Sequence, residues 1–214
     1  MVRIILVRHG ETKWNIEGRY QGQEDTELSE RGLEQGRLLA QVLKDVPIDV
    51  FVSSPLKRSF MTASFCAELH GNTVAKDERL TEINHGLWEG RLAGDIEAEY
   101  PDEFAAWHTQ PHTVQMPGEG GESLEDVRVR VRAAFDDYAQ KYAEKTVFVA
   151  AHDAVNKAVI CDLLGLSQAA FWQIKQDNTC INVLEEQDGR WRLVLLNSTT
   201  HLGYLFSGIE QKGL

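Results

Sequence analysis

The chain has too few basic residues for a general nucleic-acid or anionic-membrane surface. Against 33 Asp and Glu stand 22 Lys and Arg, a formal net charge of −11, and such surfaces need clustered cations to displace counterions. That balance still permits a small anionic substrate bound locally. Long apolar runs are missing too: residues 4–7 and 147–151 are typical of the longest, whereas a membrane helix needs about 20 apolar residues. No membrane partner is expected. The opening Val2-Arg3-Ile4-Ile5-Leu6-Val7 has neither the h-region length nor the cleavage site of a secretory signal, so a cytoplasmic protein is expected. Cysteine is scarce. Cys66, Cys161 and Cys180 are odd in number and lack CxxC spacing, which points away from a disulfide framework or thiolate zinc site and toward core thiols.

The composition, 43% hydrophobic and 26% charged, is globular. With no internal repeat, low-complexity tract or linker, residues 1–214 are read as one domain. Residues 3–7, 49–52 and 146–150 are short runs rich in β-branched and aromatic residues, each followed by helix-like sequence. Continuous apolar runs of that length suit strands buried on both faces of a parallel sheet. The predicted fold is therefore α/β, a mostly parallel central sheet flanked by helices on both faces.

Ser29 is a plausible cap for a helix carrying Leu33, Leu38, Leu39 and Val42. A second helix follows Pro55 to about Leu69. Ser123 caps a long one whose Val127, Val131, Ala134, Phe135, Tyr138 and Tyr142 share a face. A further helix is expected over residues 156–164. Residues 180–186 and 190–196 flank Asp188-Gly189, a hairpin signal that predicts an antiparallel edge. Residues 86–121 show no clean period and read as an inserted excursion, either a lid-like region or packed decoration.

Chemistry-bearing residues follow each predicted parallel strand: Arg8-His9-Gly10-Glu11-Thr12, Ser53-Ser54-Pro55-Leu56-Lys57-Arg58 and Ala151-His152-Asp153. Ligands of open α/β sheets bind outside the carboxyl ends of strands, where helix N-termini point their free N–H groups. Arg8, His9, Arg58 and His152 are therefore expected in one crevice. Four potentially cationic side chains repel one another unless an anion joins them, and a tetrahedral phosphate fits that role. No set of His, Asp or Glu has convincing metal spacing, so neither metal nor cofactor is expected.

These motifs, with Trp14-Asn15, Gly18-Arg19, Gln21-Gly22, Asp25, Leu28-Ser29-Glu30-Arg31-Gly32, Thr62-Ala63, Glu82-Ile83, Gly86, Trp88-Glu89-Gly90 and Gly121-Glu122-Ser123, resemble the histidine phosphatase superfamily, in its phosphoglycerate-mutase-like branch. They span most of the chain in the family's order. The resemblance implies His9 as nucleophile, Arg8, Arg58 and His152 as phosphate holders, Glu82 as proton donor, and Asn15, Gln21 and Gly22 as lining of the phosphate pocket. It implies a metal-independent phosphomonoesterase working through a phosphohistidine. One departure stands out: the family usually has Gly after the second His, and here Asp153 is expected to turn away or pair with an Arg.

Within the superfamily, His85 beside Glu82, His201 near the C-terminus, Trp107, Pro111-His112 and residues 120–124 resemble the metal-independent phosphoserine phosphatases. That implies phosphoserine as the small phosphorylated substrate, with His85 and His201 binding its carboxylate. The alternatives are a cofactor-dependent phosphoglycerate mutase, an α-ribazole or broad-specificity phosphatase, and, from another class, an inactive phospho-ligand binding protein. Family resemblance and an exposed hairpin edge suggest a homodimer.

Overall fold

The computed structural model describes residues 1–205; the rest of the expected 1–214 domain lies outside the described residues. Its centre is a six-stranded sheet in the order β3-β2-β4-β1-β5-β6. The strands β1 (Val2–Arg8), β2 (Val50–Ser53), β3 (Val74–Lys76) and β4 (Thr146–Ala151) run parallel, and β5 (Ile181–Gln187) with β6 (Arg190–Ser198) forms the antiparallel edge. Asp188 and Gly189 turn the hairpin with φ of 54° and 77°, the positive angles that a strand-matched two-residue turn requires. The sequence pattern did not reveal β3, because three residues are too few to show a period.

Alternation along the central strands divides the core in two. Ile4 and Leu6 of β1 and Val147 and Val149 of β4 pack with α6 (Leu124–Lys141) and α7 (Asp153–Leu163). Ile5, Val7, Phe148 and Ala150 pack instead with α2 (Glu30–Leu43), which follows the short α1 (Lys13–Glu17), and with α3 (Lys57–Leu69). Both sheet faces are thus covered, which is why these strands read as continuous apolar runs.

Ser29 caps α2, accepting from the Gly32 amide at 3.0 Å. The packed face of α2 differs from the expected one: Leu38 and Val42 are 37% and 50% exposed, while Gly32, Gln35, Gly36, Leu39, Ala40 and Leu43 are buried. The glycines decide this. A Cβ at Gly36 would stand 2.6 Å from the Phe65 ring of α3, so the helices meet where side chains are missing. In α6 the expected face is buried from Val127 to Tyr138, and α7 starts at Asp153, three residues earlier than expected.

The excursion over residues 86–121 is helical in large part, with α4 (Ala93–Glu99), α5 (Pro101–Thr109) and two 3₁₀ turns. It is packed. Trp88, Ile96, Trp107 and Met116 are buried in the same cluster as α6 and α7. Cys66, Cys161 and Cys180 are buried free thiols. Among the described residues, no helix is long and apolar enough to cross a membrane.

Candidate active site

The strands β1 and β4 lie side by side with Arg8 opposite Ala151, yet the chain leaves β1 for α2 on one face and β4 for α7 on the other. This is the point in an open α/β sheet where a crevice forms. The His9 amide donates to the Ala151 carbonyl at 3.1 Å and the Ser54 amide to the Ala150 carbonyl at 3.0 Å. Three strand ends thus deliver His9, Ser54 with Arg58, and His152 to one place, and the two imidazole centroids are 5.2 Å apart. The turn after His9 is fixed by close approach, not by an unusual φ: a Cβ on Gly10 would sit 2.6 Å from the Gly32 carbonyl oxygen, and one on Gly32 would sit 2.0 Å from that of Glu11.

His9 Nδ1 lies 2.7 Å from the Gly10 carbonyl. A carbonyl only accepts, so Nδ1 carries the proton. Burial, then the Arg58 and Arg8 charges, hold the His9 pKa well below the usual imidazole value, so the ring is neutral and Nε2 keeps its lone pair. His152 is neutral for similar reasons, burial first and Arg58 next. The expected crowd of four cations is therefore two guanidiniums and two neutral rings. In His152, Nε2 is 2.8 Å from Ser54 Oγ, which itself accepts from the Leu56 amide at 3.3 Å. The hydroxyl proton is then free to go to Nε2, leaving Nδ1 as a donor.

Both guanidiniums are tied from behind by backbone oxygens. Arg8 Nη1 donates to the Gln176 carbonyl at 2.6 Å, and Arg58 donates to Glu24 and Gly22 carbonyls at 2.7 Å each. Burial lowers the Arg58 pKa to about 10, still charged at neutral pH. Arg8 Nε, Arg58 Nε, Gln21 Nε2 and His152 Nδ1 are buried and have no hydrogen-bond partner among the described residues. Four unmatched donors in one cluster suit a ligand of several acceptor oxygens, since buried donors are otherwise nearly always paired.

Glu82 faces this cluster and is buried. Its Oε1 accepts from the Ile83 amide at 3.0 Å and its Oε2 lies 3.4 Å from the Ala154 amide in the first turn of α7. Burial, and after it the Asp153 charge, raises its pKa. A carboxyl whose proton is held more firmly than usual is suited to give it up and take it back during a reaction.

Comparison with known proteins decides the family. Residues 4–199 match the family model of the histidine phosphatase superfamily (branch 1). The chain belongs to that superfamily. It is 41% identical to phosphoserine phosphatase 1 of Hydrogenobacter thermophilus over 206 residues, covering 96% of this chain and 97% of the relative. A mutant phosphoserine phosphatase from Entamoeba histolytica, solved in complex with phosphoserine, superposes with a TM-score of 0.84 at 28% identity, covering 94% of this chain and all of that one. The Entamoeba histolytica phosphoserine phosphatase in complex with 3-phosphoglyceric acid gives the same TM-score, 0.84, at 30% identity, again covering 94% of this chain and all of that one. This histidine phosphatase is a phosphoric monoester hydrolase.

Gln21 is buried, its Oε1 accepting from Thr12 and Thr26 hydroxyls at 2.8 and 2.7 Å. Gly22 has φ of 52°, and a Cβ there would meet the Glu89 carboxylate at 1.9 Å, so only glycine fits beside Arg58. Asn15 is half-buried at the edge, where its Oδ1 receives Asn178 Nδ2 at 3.3 Å while the same Nδ2 donates to the His9 carbonyl at 3.1 Å.

The two histidines expected to bind the substrate carboxylate lie in different settings. His85 is buried among Tyr20 and Trp107 rings, 4.9 and 6.0 Å away, with Nδ1 3.5 Å from Met116 Sδ and Nε2 without a hydrogen-bond partner among the described residues. Burial lowers its pKa to about 3. His201 Nε2 is 3.1 Å from Thr179 Oγ1, and the Thr179 amide donates to the Arg8 and His9 carbonyls. It is thus tied to the His9 turn through one residue.

Gln176, Asn178 and Thr179 behind Arg8 and His9, and Lys157, were not singled out from the sequence. Ser54 and Thr62 stand in the quoted motifs but without a role; Thr62 Oγ1 accepts from the Gly10 amide at 3.0 Å. Asp153 pairs with an arginine as expected, 3.5 Å from Arg8 Nη1, and also with Lys157 at 2.8 Å. Among the described residues, no group of three or more His, Cys, Asp or Glu is placed to hold a metal ion.

Proposed function

We propose that this phosphatase works through a phosphohistidine on His9 and that its substrate is phosphoserine. The observation that carries the mechanism is the tautomer of His9: Nδ1–H is fixed on the Gly10 carbonyl, which leaves a bare Nε2 on a ring that feels the Arg58 and Arg8 charges. Nε2 attacks phosphorus, the P–O bond to the alkyl group breaks, and Glu82 protonates the departing alkoxide. Now a carboxylate, Glu82 takes a proton from water, whose oxygen attacks the phosphohistidine and returns Nε2 to its starting state. Arg8, Arg58 and the His152 Nδ1–H match the charge on the equatorial oxygens, the main demand of phosphoryl transfer. Asn15, Gln21 and Gly22 line the phosphate pocket.

A binding protein without turnover would need neither the bare nucleophile nor the carboxyl of raised pKa, which weighs against that alternative. For the substrate, support comes from the phosphoserine phosphatase relatives and from His85 and His201, which we assign to the serine carboxylate. The rival is a phosphoryl acceptor other than water, as in a phosphoglycerate mutase, and the 3-phosphoglyceric acid complex of the Entamoeba histolytica protein keeps that ligand class in view. In a homodimer, a second copy would meet the edge strand β6, where Val194, Leu195 and Leu196 are exposed; light scattering after gel filtration tests it.

Rapid quench with labelled phosphoserine, 3-phosphoglycerate and α-ribazole phosphate tests both halves of the reading. An acid-labile, base-stable adduct absent from His9→Ala is expected, with phosphoserine the best substrate. Equal labelling of the variant would overturn the nucleophile, and preference for another ester would overturn the substrate.

A further inference from the structure

Asp153 is a second acidic residue buried in a site built for an anion. Its side chain is fully buried, and so is that of Lys157 one helical turn on, whose Nζ lies 2.8 Å from Asp153 Oδ2. The other oxygen, Oδ1, is 3.5 Å from Arg8 Nη1, the nitrogen that the Gln176 carbonyl already holds. The next residue, Ala154, offers its amide to Glu82 Oε2 at 3.4 Å. Asp153 thus stands between two groups assigned to the chemistry.

Lys157 itself is secured by a second layer. Its Nζ lies over the rings of Phe171 and Trp172, 4.9 and 4.6 Å from their centroids, a favourable setting for a desolvated cation. Trp172 is locked in turn, its Nε1 donating to the Trp107 carbonyl at 2.6 Å and its ring stacked on His108. A buried ion pair costs desolvation that its own attraction only partly offsets. An aspartate serving merely as a favourable charge at a helix N-terminus has no need of such a counterion.

We propose that Asp153 is a positioning residue for this reaction, acting on Arg8 by contact and on Glu82 by charge, with Lys157 as the counterion that makes the buried carboxylate tolerable. The Oδ1 contact adds to the Gln176 carbonyl in fixing Nη1, which leaves the Nε edge of Arg8 for the phosphoryl group. The negative charge beside Glu82 favours the protonated carboxyl that the first half-reaction consumes. The charged and titratable groups around the pair are Arg8 from β1, Arg58 from α3, Arg130 from α6, His85 from the segment after Glu82, and His152 with Lys157 from α7. The Asp153 charge opposes ionisation of Glu82, whereas the cations, Arg58 foremost, promote it.

The inference rests on the reading of Glu82 as the acid, and the test separates the two. The pH profile of kcat/KM is measured on an alkyl phosphate without an amine, such as glycerol phosphate, with p-nitrophenyl phosphate alongside. Glu82→Gln is expected to abolish the alkaline limb seen with the alkyl ester; a limb that survives overturns the acid reading and the inference with it. Given its loss, Asp153→Asn is expected to move the wild-type limb to lower pH by about half a unit or more, since a single neighbouring charge in a buried site has that reach. Lys157→Met, which leaves the aspartate less neutralised, is expected to move it to higher pH. The p-nitrophenyl phosphate profile should not move in either variant, because that leaving group needs little protonation. A purely structural role would lower thermal stability in both variants and leave the limb in place, or shift it in the same direction, and either result overturns the proposal. Should Asp153→Asn not fold, the opposite sign in Lys157→Met carries the test alone.

Discussion

The buried ring of His85 makes the fold sensitive to acid. His85 has no exposed surface and its pKa is lowered by burial to about 3, whereas in the unfolded chain it titrates near 6.5. Between those values the unfolded state binds more protons than the folded one, so stability falls as the pH falls. The contribution is intact above the unfolded pKa and is lost progressively below it. At pH 5 the unfolded ring is almost fully protonated and the folded ring almost fully neutral, which gives a loss of about 2 kcal/mol relative to pH 7. The figure is insensitive to the folded value, provided that value lies well below 5. His9 and His152 act in the same sense, and Glu82 and Glu89, whose pKa values are raised, act in the opposite one. Urea unfolding of wild type and His85→Gln at pH 7 and pH 5 isolates the term, because the cost of the substitution cancels when each protein is compared with itself. Wild type should lose about 2 kcal/mol more than the variant across that interval. Equal losses in the two proteins would refute the assignment of His85 as a neutral buried ring.

Turnover should persist in excess chelator, because Arg8 and Arg58 supply the positive charge; loss with EDTA restored by Mg²⁺ would refute the mechanism. Replacing His85 or His201 by Ala should lower kcat/KM on phosphoserine by roughly one to two orders of magnitude, the worth of a hydrogen bond to a charged group. The same variants should hardly change turnover of an aryl phosphate, which has no carboxylate, and parallel losses on both would remove these residues from substrate recognition. Gly32→Ala places a methyl 2.0 Å from the Glu11 carbonyl oxygen, so thermal denaturation should show about 1–3 kcal/mol of overpacking together with loss of activity as the His9 turn is displaced.

The sheet and its chemistry were legible because burial on both faces leaves a plain mark. Residues 3–7 and 146–150 show as apolar runs since β1 and β4 touch helices on both sides, and the residues just past them fall at the crevice by topology alone. The excursion over residues 86–121 was opaque for the opposite reason. Its helices α4 and α5 bury one residue each, Ile96 and Trp107, so no 3.6-residue stripe forms for periodicity to detect. The face of α2 was misread because its closest contacts are made by Gly32 and Gly36, and a pattern of large apolar residues cannot show a contact made by missing side chains.

The supports of the site were hidden more deeply still. Arg8 and Arg58 are aimed by the carbonyls of Gln176, Glu24 and Gly22, and a backbone oxygen can be supplied by any residue. The sequence can show which cations exist but not what orients them; that depends on where the chain passes behind them. Asp153 lies between these cases. Its type is visible in the sequence and its partner Lys157 follows at helical spacing, yet the carboxylate looks hostile to phosphate until the fold shows both of its oxygens engaged by cations, Lys157 at 2.8 Å and Arg8 at 3.5 Å. A charge of the wrong sign in a binding pocket is therefore best judged by what neutralises it and by which neighbour still feels it, and here that neighbour is the carboxyl of Glu82.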